Sequence, residues 1–143
     1  MSGNSETKKW VSSSLDETVK IAKTLFQALP KTAVLCFYGE LGAGKTSFIK
    51  GLAEANGIPP ESVTSPTFTY LNLYKGKTPF AHFDLWRLEK ESDFIHQGFE
   101  EFLDGPGLIC IEWPERIPSL IPKDALKIYI KALDENTREI QVS

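Results

Sequence analysis

Cysteine, histidine, arginine and methionine are all scarce in this chain of 143 residues, which holds two cysteines, two histidines, three arginines and one methionine. Two cysteines cannot build a disulfide framework. Cys36 and Cys110 each lie inside an apolar run, "AVLCFY" and "LICIEW", where they read as small buried hydrophobes in a reducing compartment. His82 and His96 form no cluster with them. No apolar run approaches the roughly 20 residues of a membrane-spanning helix, and the opening "MSGNSETKKW" lacks the apolar core of a secretory signal. A cytoplasmic protein without a membrane segment is therefore expected. Positive charge is not in excess either: the net charge is -3 and the pI 5.4. Phosphate-neutralising surfaces are usually basic, so autonomous binding to DNA or RNA is not expected, while contact with RNA through a partner stays open.

Hydrophobic residues at 41% and charged residues at 24% are ordinary for a soluble globular protein, and the length suits a single domain over residues 1–143 with a flexible leader over 1–9. In "SSSLDETVKIAKTLFQAL" the apolar residues Leu15, Val19, Ala22, Leu25, Phe26 and Leu29 recur at helical spacing. Ser14 and Glu17 stand at capping-box distance, and Pro30 ends the helix. "TAVLCFY" at 32–38 predicts a strand buried on both faces. A loop and a second helix from Lys45 to Ala55 follow, closed by "NG" at 56 and 57.

Beyond the Pro-, Ser- and Thr-rich loop "IPPESVTSPT", the run "TFTYLNLYKGKTPFAHFDL" predicts a hairpin through Lys75-Gly76-Lys77. Residues 90–103 read as short helices, "LICIEW" as a second apolar strand, and "ALKIYIKAL" and "REIQV" as strands near a sheet edge. No internal repeat interrupts this alternation, which predicts an α/β fold.

Within it, "GELGAGKT" at 39–46 matches G-x-x-x-x-G-K-[ST] between a predicted strand and a predicted helix. Gly39, Gly42 and Gly44 permit a backbone whose N–H groups converge on phosphate oxygens, and the helix start adds unpaired N–H groups and the positive end of its dipole. Lys45 would reach the β- and γ-phosphates of a nucleoside triphosphate, and the Thr46 hydroxyl would ligate Mg²⁺. The metal also needs a carboxylate, directly or through water. Asp84 ends "FAHFD" and Glu112 ends "LICIE", and in open α/β sheets both strand ends face the ligand crevice. Glu112 follows the more apolar run, so it belongs on the more central strand and is the stronger candidate for ordering metal or water. A solvated strand end is the plain alternative for each acid.

Two absences narrow the class. The Asn-Lys-x-Asp and Asp-x-x-Gly patterns of switch GTPases are missing, and the three arginines, Arg87, Arg116 and Arg138, are widely separated with no lid-sized insertion. Both favour ATP hydrolysis coupled to a partner over phosphoryl transfer to a small acceptor.

Taken together, "GELGAGKTSFIKGL", "VTSPTFTY", "HFDLWRL" and "IEWPE" resemble the TsaE (YjeE) family from about Ser14 to Arg138. The resemblance implies a single-domain three-layer α/β/α P-loop fold with a mixed sheet. It implies a small bacterial ATPase needed for N6-threonylcarbamoyladenosine at position 37 of tRNAs decoding ANN codons, docking on the TsaB–TsaD heterodimer and meeting tRNA through that complex. Carried over by position, the phosphate loop comprises Gly39, Glu40, Leu41, Gly42, Ala43, Gly44, Lys45 and Thr46, with Ser47 standing where the family frequently has threonine. Mg²⁺ would be held by Thr46 with Glu112 and Asp84, and ATP or ADP would occupy the loop. Ser65 and Thr67 match a Ser-Pro-Thr segment resembling a switch loop near the γ-phosphate. Trp113 matches the tryptophan beside the catalytic acid, and the resemblance places the base near Leu15 and Thr137.

For the remaining candidates plainer readings stand beside functional ones. His82 suits packing or an orienting hydrogen bond, with a direct catalytic part as the alternative, and His96 suits the surface. Phe68, Tyr70, Tyr74, Phe80 and Phe83 read as sheet core. Trp113 is balanced between ligand contact and packing, and Arg87 between transition-state charge and an ion pair.

Overall fold

A computed structural model describes residues 7–40, 42–64, 66 and 69–143. A seven-stranded sheet runs in the order β1-β7-β6-β2-β5-β4-β3. Its strands are β1 (Lys8–Ser12), β2 (Ala33–Tyr38), β3 (Leu71–Lys75), β4 (Pro79–Asp84), β5 (Leu108–Glu112), β6 (Leu126–Ala132) and β7 (Arg138–Val142). The helices are α1 (Leu15–Ala28), α2 (Lys45–Ala55) and the short α3 (Glu91–His96). β6, β2, β5 and β4 are parallel, whereas β3 on one side and β7 and β1 on the other are antiparallel to their neighbours. The sheet is therefore mixed, as the sequence implied.

Alternation along the parallel strands sends side chains to two cores. Leu35, Phe37, Leu108 and Cys110 pack under α1 and α2 with Ala22, Phe48, Ile49 and Leu52. Val34, Cys36, Ile109 and Ile111 face the opposite way, onto Phe94 of α3 and Leu103 of a 3₁₀ turn at Glu100–Asp104. β2 and β5 are covered on both faces, which is why they read as unbroken apolar runs. Both cysteines are free and buried, and burial pushes the Cys36 thiol up to about 12, so neither carries reactive thiolate. Among the described residues no helix is long and apolar enough to cross a membrane.

Local chemistry sets the element ends. Ser14 Oγ accepts the Glu17 N–H at 3.1 Å and Glu17 Oε1 accepts the Ser13 N–H at 2.7 Å, so α1 starts in a reciprocal cap. Buried Asn56, just past α2, accepts the Thr78 N–H at 3.0 Å and donates to the Thr78 carbonyl at 2.9 Å, tying the β3–β4 turn to the helix.

The expected leader is partly corrected. Lys8 and Lys9 begin β1, which pairs with β7 from Lys8↔Val142 to Ser12↔Arg138, while residues 1–6 lie outside the described ones. The strand escaped detection because it lies at the sheet edge and its first two residues are exposed lysines, so no apolar alternation marks it. β6 and β7 lie near the sheet edge as expected, and β1 forms that edge.

α1 and α2 approach closely at Gly51, where an added Cβ would stand 2.7 Å from Ala22 Cβ and 3.1 Å from the Val19 carbonyl oxygen. Alanine in a helix ordinarily gains about 1 kcal/mol over glycine. Here overpacking of about 1–3 kcal/mol opposes that gain, so Gly51→Ala is expected to lower stability, measured as a lower urea midpoint with an unchanged m-value.

Candidate active site at the carboxyl ends of the parallel strands

Cross-strand register gathers the site. Phe37 of β2 pairs with Glu112 of β5, and Glu112 pairs with Asp84 of β4, so both acids stand level with the exit of the strand that feeds residues 39–46. His82, Asp84 and Glu112 occupy alternate positions facing the α1–α2 side. Gly44 is the N-cap of α2 with φ 107°, a left-handed backbone that suits glycine, and it lets the helix begin directly at Lys45. Phe48 N–H bonds the Gly44 carbonyl at 3.0 Å, while the first N–H groups of the helix point into the loop without a side-chain cap, an arrangement suited to anions.

A cavity of about 500 Å³ opens here. It is lined by Gly42, Gly44, Lys45, Thr46 and Ser47, by Asp84, Trp86, Glu112 and Trp113, and by Ser14, Leu15, Thr18, Glu135, Asn136 and Arg138. Gly39, Glu40 and Ala43 line a neighbouring groove beside β6 that shares Gly42 with this cavity. Leu15 is thus at the cavity as expected. Thr137 is not among its lining residues: its N–H bonds Asp134 Oδ1 at 2.9 Å within the β6–β7 turn, and its neighbours Asn136 and Arg138 reach the cavity instead. Leu41, Ser65 and Thr67 lie outside the described residues, as does Phe68.

Lys45 is 4% exposed despite its charge. Its Nζ donates to the Gly39 carbonyl at 2.6 Å and lies 3.8 Å from the centroid of the Trp113 ring, a cation–π contact. Burial lowers its pKa, opposed by the negative charges of Glu112, Glu115 and Asp84. Trp113 itself sits at φ 61°, ψ 50°, a left-handed conformation uncommon for a bulky residue. It is braced by the Trp86 ring at 4.6 Å between centroids, and Arg116 donates to the Trp86 carbonyl at 3.1 Å.

Glu112 is buried and central. Both its carboxylate oxygens lie 3.4 Å from Thr46 Oγ1, and Oε2 is 2.6 Å from His82 Nε2. Asp84 Oδ1 accepts the Trp86 N–H at 3.1 Å. Among the described residues no group of three or more His, Cys, Asp or Glu side chains forms a metal cage. One hydroxyl and two carboxylates beside a phosphate loop still fit Mg²⁺, a hard ion that takes few protein oxygens and completes its shell with phosphate and water.

Sequence reasoning left three features of this site undetected. Trp86 stands against Trp113, and Asn136 and Arg138 line the same cavity, the Arg138 Nε lying 3.7 Å from the place a Cβ on Gly44 would occupy. The turn "DENTR" offered no motif that would have announced them. Arg87, weighed as a charge neutraliser, is not among the cavity's lining residues.

The comparisons agree with this geometry. The profile of a family described as "Threonylcarbamoyl adenosine biosynthesis protein TsaE" matches residues 12–140. A tRNA threonylcarbamoyladenosine biosynthesis protein TsaE of Treponema pallidum is 39% identical over 133 residues, covering 93% of this chain and 98% of that protein. The protein of the same name from Bacillus subtilis is 40% identical over 133 residues, covering 92% and 82%. The crystal structure of Bacillus subtilis YdiB superposes with a TM-score of 0.79 at 34% identity, over 99% of this chain and 87% of that one.

The Asp84 carboxyl is held above the ordinary carboxylate range, first by burial and also by Glu112, against the Trp86 N–H, His82 and Lys45. The folded chain therefore binds this proton more tightly than the unfolded chain, and stability falls as pH rises from the ordinary value of 3.8 through the raised one. Asp84→Asn is expected to raise stability at pH 7, by about 0.5–2 kcal/mol as is common when a functional site's strain is relieved. In urea titrations across pH that gain should fade as the pH falls toward 3.8.

Proposed function

Because the chain belongs to the TsaE family and acts in tRNA threonylcarbamoyladenosine biosynthesis, we propose that it does so as a Mg²⁺-dependent ATPase of the cytoplasm that works on the TsaB–TsaD heterodimer. One observation carries this reading. Gly42, Gly44 and Lys45 of the loop line one cavity with Thr46 and Glu112, whose carboxylate lies 3.4 Å from the Thr46 hydroxyl, and that cavity extends to Leu15 and Asn136.

In this reading the N–H groups opening α2 hold the β-phosphate and Lys45 leaves Trp113 to reach the β- and γ-oxygens. Thr46 with Glu112, and Asp84 beside them, would hold Mg²⁺, which supplies neutralisation of charge on the phosphates. Glu112 also orients water against the γ-phosphorus. The new P–O bond forms from water as the bond to the β–γ bridging oxygen breaks, releasing ADP and phosphate with the water's proton passing to the surrounding bases. Ser65 and Thr67 are proposed to sense the γ-phosphate. The base lies toward Leu15 and the turn around Thr137. The modification served is that of position 37 in tRNAs decoding ANN codons, with tRNA met only through the complex.

The test is phosphate release from Mg-ATP by this chain alone and with purified TsaB–TsaD, with Glu112→Ala alongside. Turnover that rises on adding the heterodimer and falls at least about 100-fold in the variant, the scale of a lost catalytic group, is the expected result. ATP binding without turnover in either mixture would replace the reading with a nucleotide-dependent assembly module. Phosphate appearing on an organic acceptor would replace it with a kinase.

A further inference from the structure

His82 is fully buried in β4, and its Nε2 lies 2.6 Å from Glu112 Oε2. Its Nδ1 is also buried and has no hydrogen-bond partner among the described residues. A polar ring in the interior costs free energy unless its groups are bonded, and here only one of its two nitrogens is. Packing alone would be served by another phenylalanine, as Phe80 serves two residues earlier on the same face. The one contact that distinguishes the imidazole from an apolar filler is the one to Glu112.

A carboxylate only accepts hydrogen bonds, so in this contact Nε2–H donates to Oε2. The terminal torsion of a glutamate is broad when nothing holds it. With Oε2 held from behind, the carboxylate faces the Thr46 hydroxyl with both oxygens at equal distance, 3.4 Å, at the start of α2. A group fixed before the substrate arrives needs no reorganisation during the reaction.

We propose that His82 is the positioning residue of Glu112: its Nε2–H holds Oε2 and sets the plane in which the carboxylate meets the phosphate loop. His82 is proposed to touch neither nucleotide nor attacking water and to act through its hydrogen bond to Glu112. The inference rests on the reading of Glu112 as the acid of ATP hydrolysis and adds the residue that makes that acid ready.

The test compares His82→Phe, which keeps bulk and removes the donor, with His82→Gln, whose side-chain amide can replace Nε2–H, each in the full chain with TsaB–TsaD. The phenylalanine variant is expected to lose about 10–100-fold in kcat, the usual scale for a lost supporting hydrogen bond, with KM for ATP within about twofold. Glutamine should restore most of the loss. Full kcat in His82→Phe, or a loss that glutamine does not restore, would overturn the proposal.

A second readout does not depend on turnover. In ¹⁵N-histidine NMR spectra of the nucleotide-free wild type, the His82 Nε2–H should be slow to exchange, and Glu112→Ala should shift it and expose it to exchange. An Nε2 signal indifferent to Glu112→Ala would overturn the proposal. Failure of the wild type to hydrolyse ATP would instead remove the ATPase reading, and the spectra would still decide whether His82 holds Glu112.

Discussion

Parallel pairing between β2 and β5, and between β5 and β4, is the constraint on which the site depends. Parallel strands end at the same level on the same side, and the register Phe37–Glu112–Asp84 converts that rule into three residues at one height. The loop leaving β2 therefore meets the two acids without any long excursion of chain. A slip of one residue in β5 would turn Glu112 into the other core, against Phe83 and Phe94, and bring Ile111 to the loop. The cost of taking the Glu112 carboxylate away from Thr46 and His82 into that apolar core opposes the slip.

The same constraint explains why charge can be buried beside a hydrophobic core. Lys45 and Glu112, each 4% exposed, lie at the top of the layer formed by Phe37, Phe48 and Leu35. Neither is left uncompensated: Lys45 has a carbonyl and an indole face, and Glu112 has Thr46 and His82. The cost of these arrangements appears locally, in the left-handed backbone of Trp113 and the raised proton affinity of Asp84. Strain of this kind persists where the surrounding elements over-determine the geometry, and here two rigid strands and a helix do so.

Much of this was legible in the sequence because the signals were local. α1 announced itself by the Ser14–Glu17 cap, α2 by the loop that begins it, and β2 and β5 by apolar runs too short for helices. That Asp84 and Glu112 face one crevice with the loop was expected from strand ends, and the structure adds that they pair directly. What escaped reading was set by tertiary contact. β1 has an exposed, lysine-bearing outer half and is held by pairing with β7, by Trp10 against the core and by buried Ser12 on Thr18. Trp86 faces Trp113 across two strand ends that no sequence spacing connects, and Arg138 comes to Gly44 because the β6–β7 hairpin folds back over the loop. Thr137 does not line the cavity although Leu15 does: the Asp134 turn uses the Thr137 backbone, and its neighbours Asn136 and Arg138 reach the cavity instead.

The resting place of Lys45 has a thermodynamic consequence for any anion that enters the loop. Its ammonium already holds the Gly39 carbonyl and the face of Trp113, so an arriving phosphate is exchanged against those contacts. The measured affinity is then a difference between two solvations of one lysine. An anion that offers several oxygens at once has more with which to replace the carbonyl and the indole than one that offers a single oxygen.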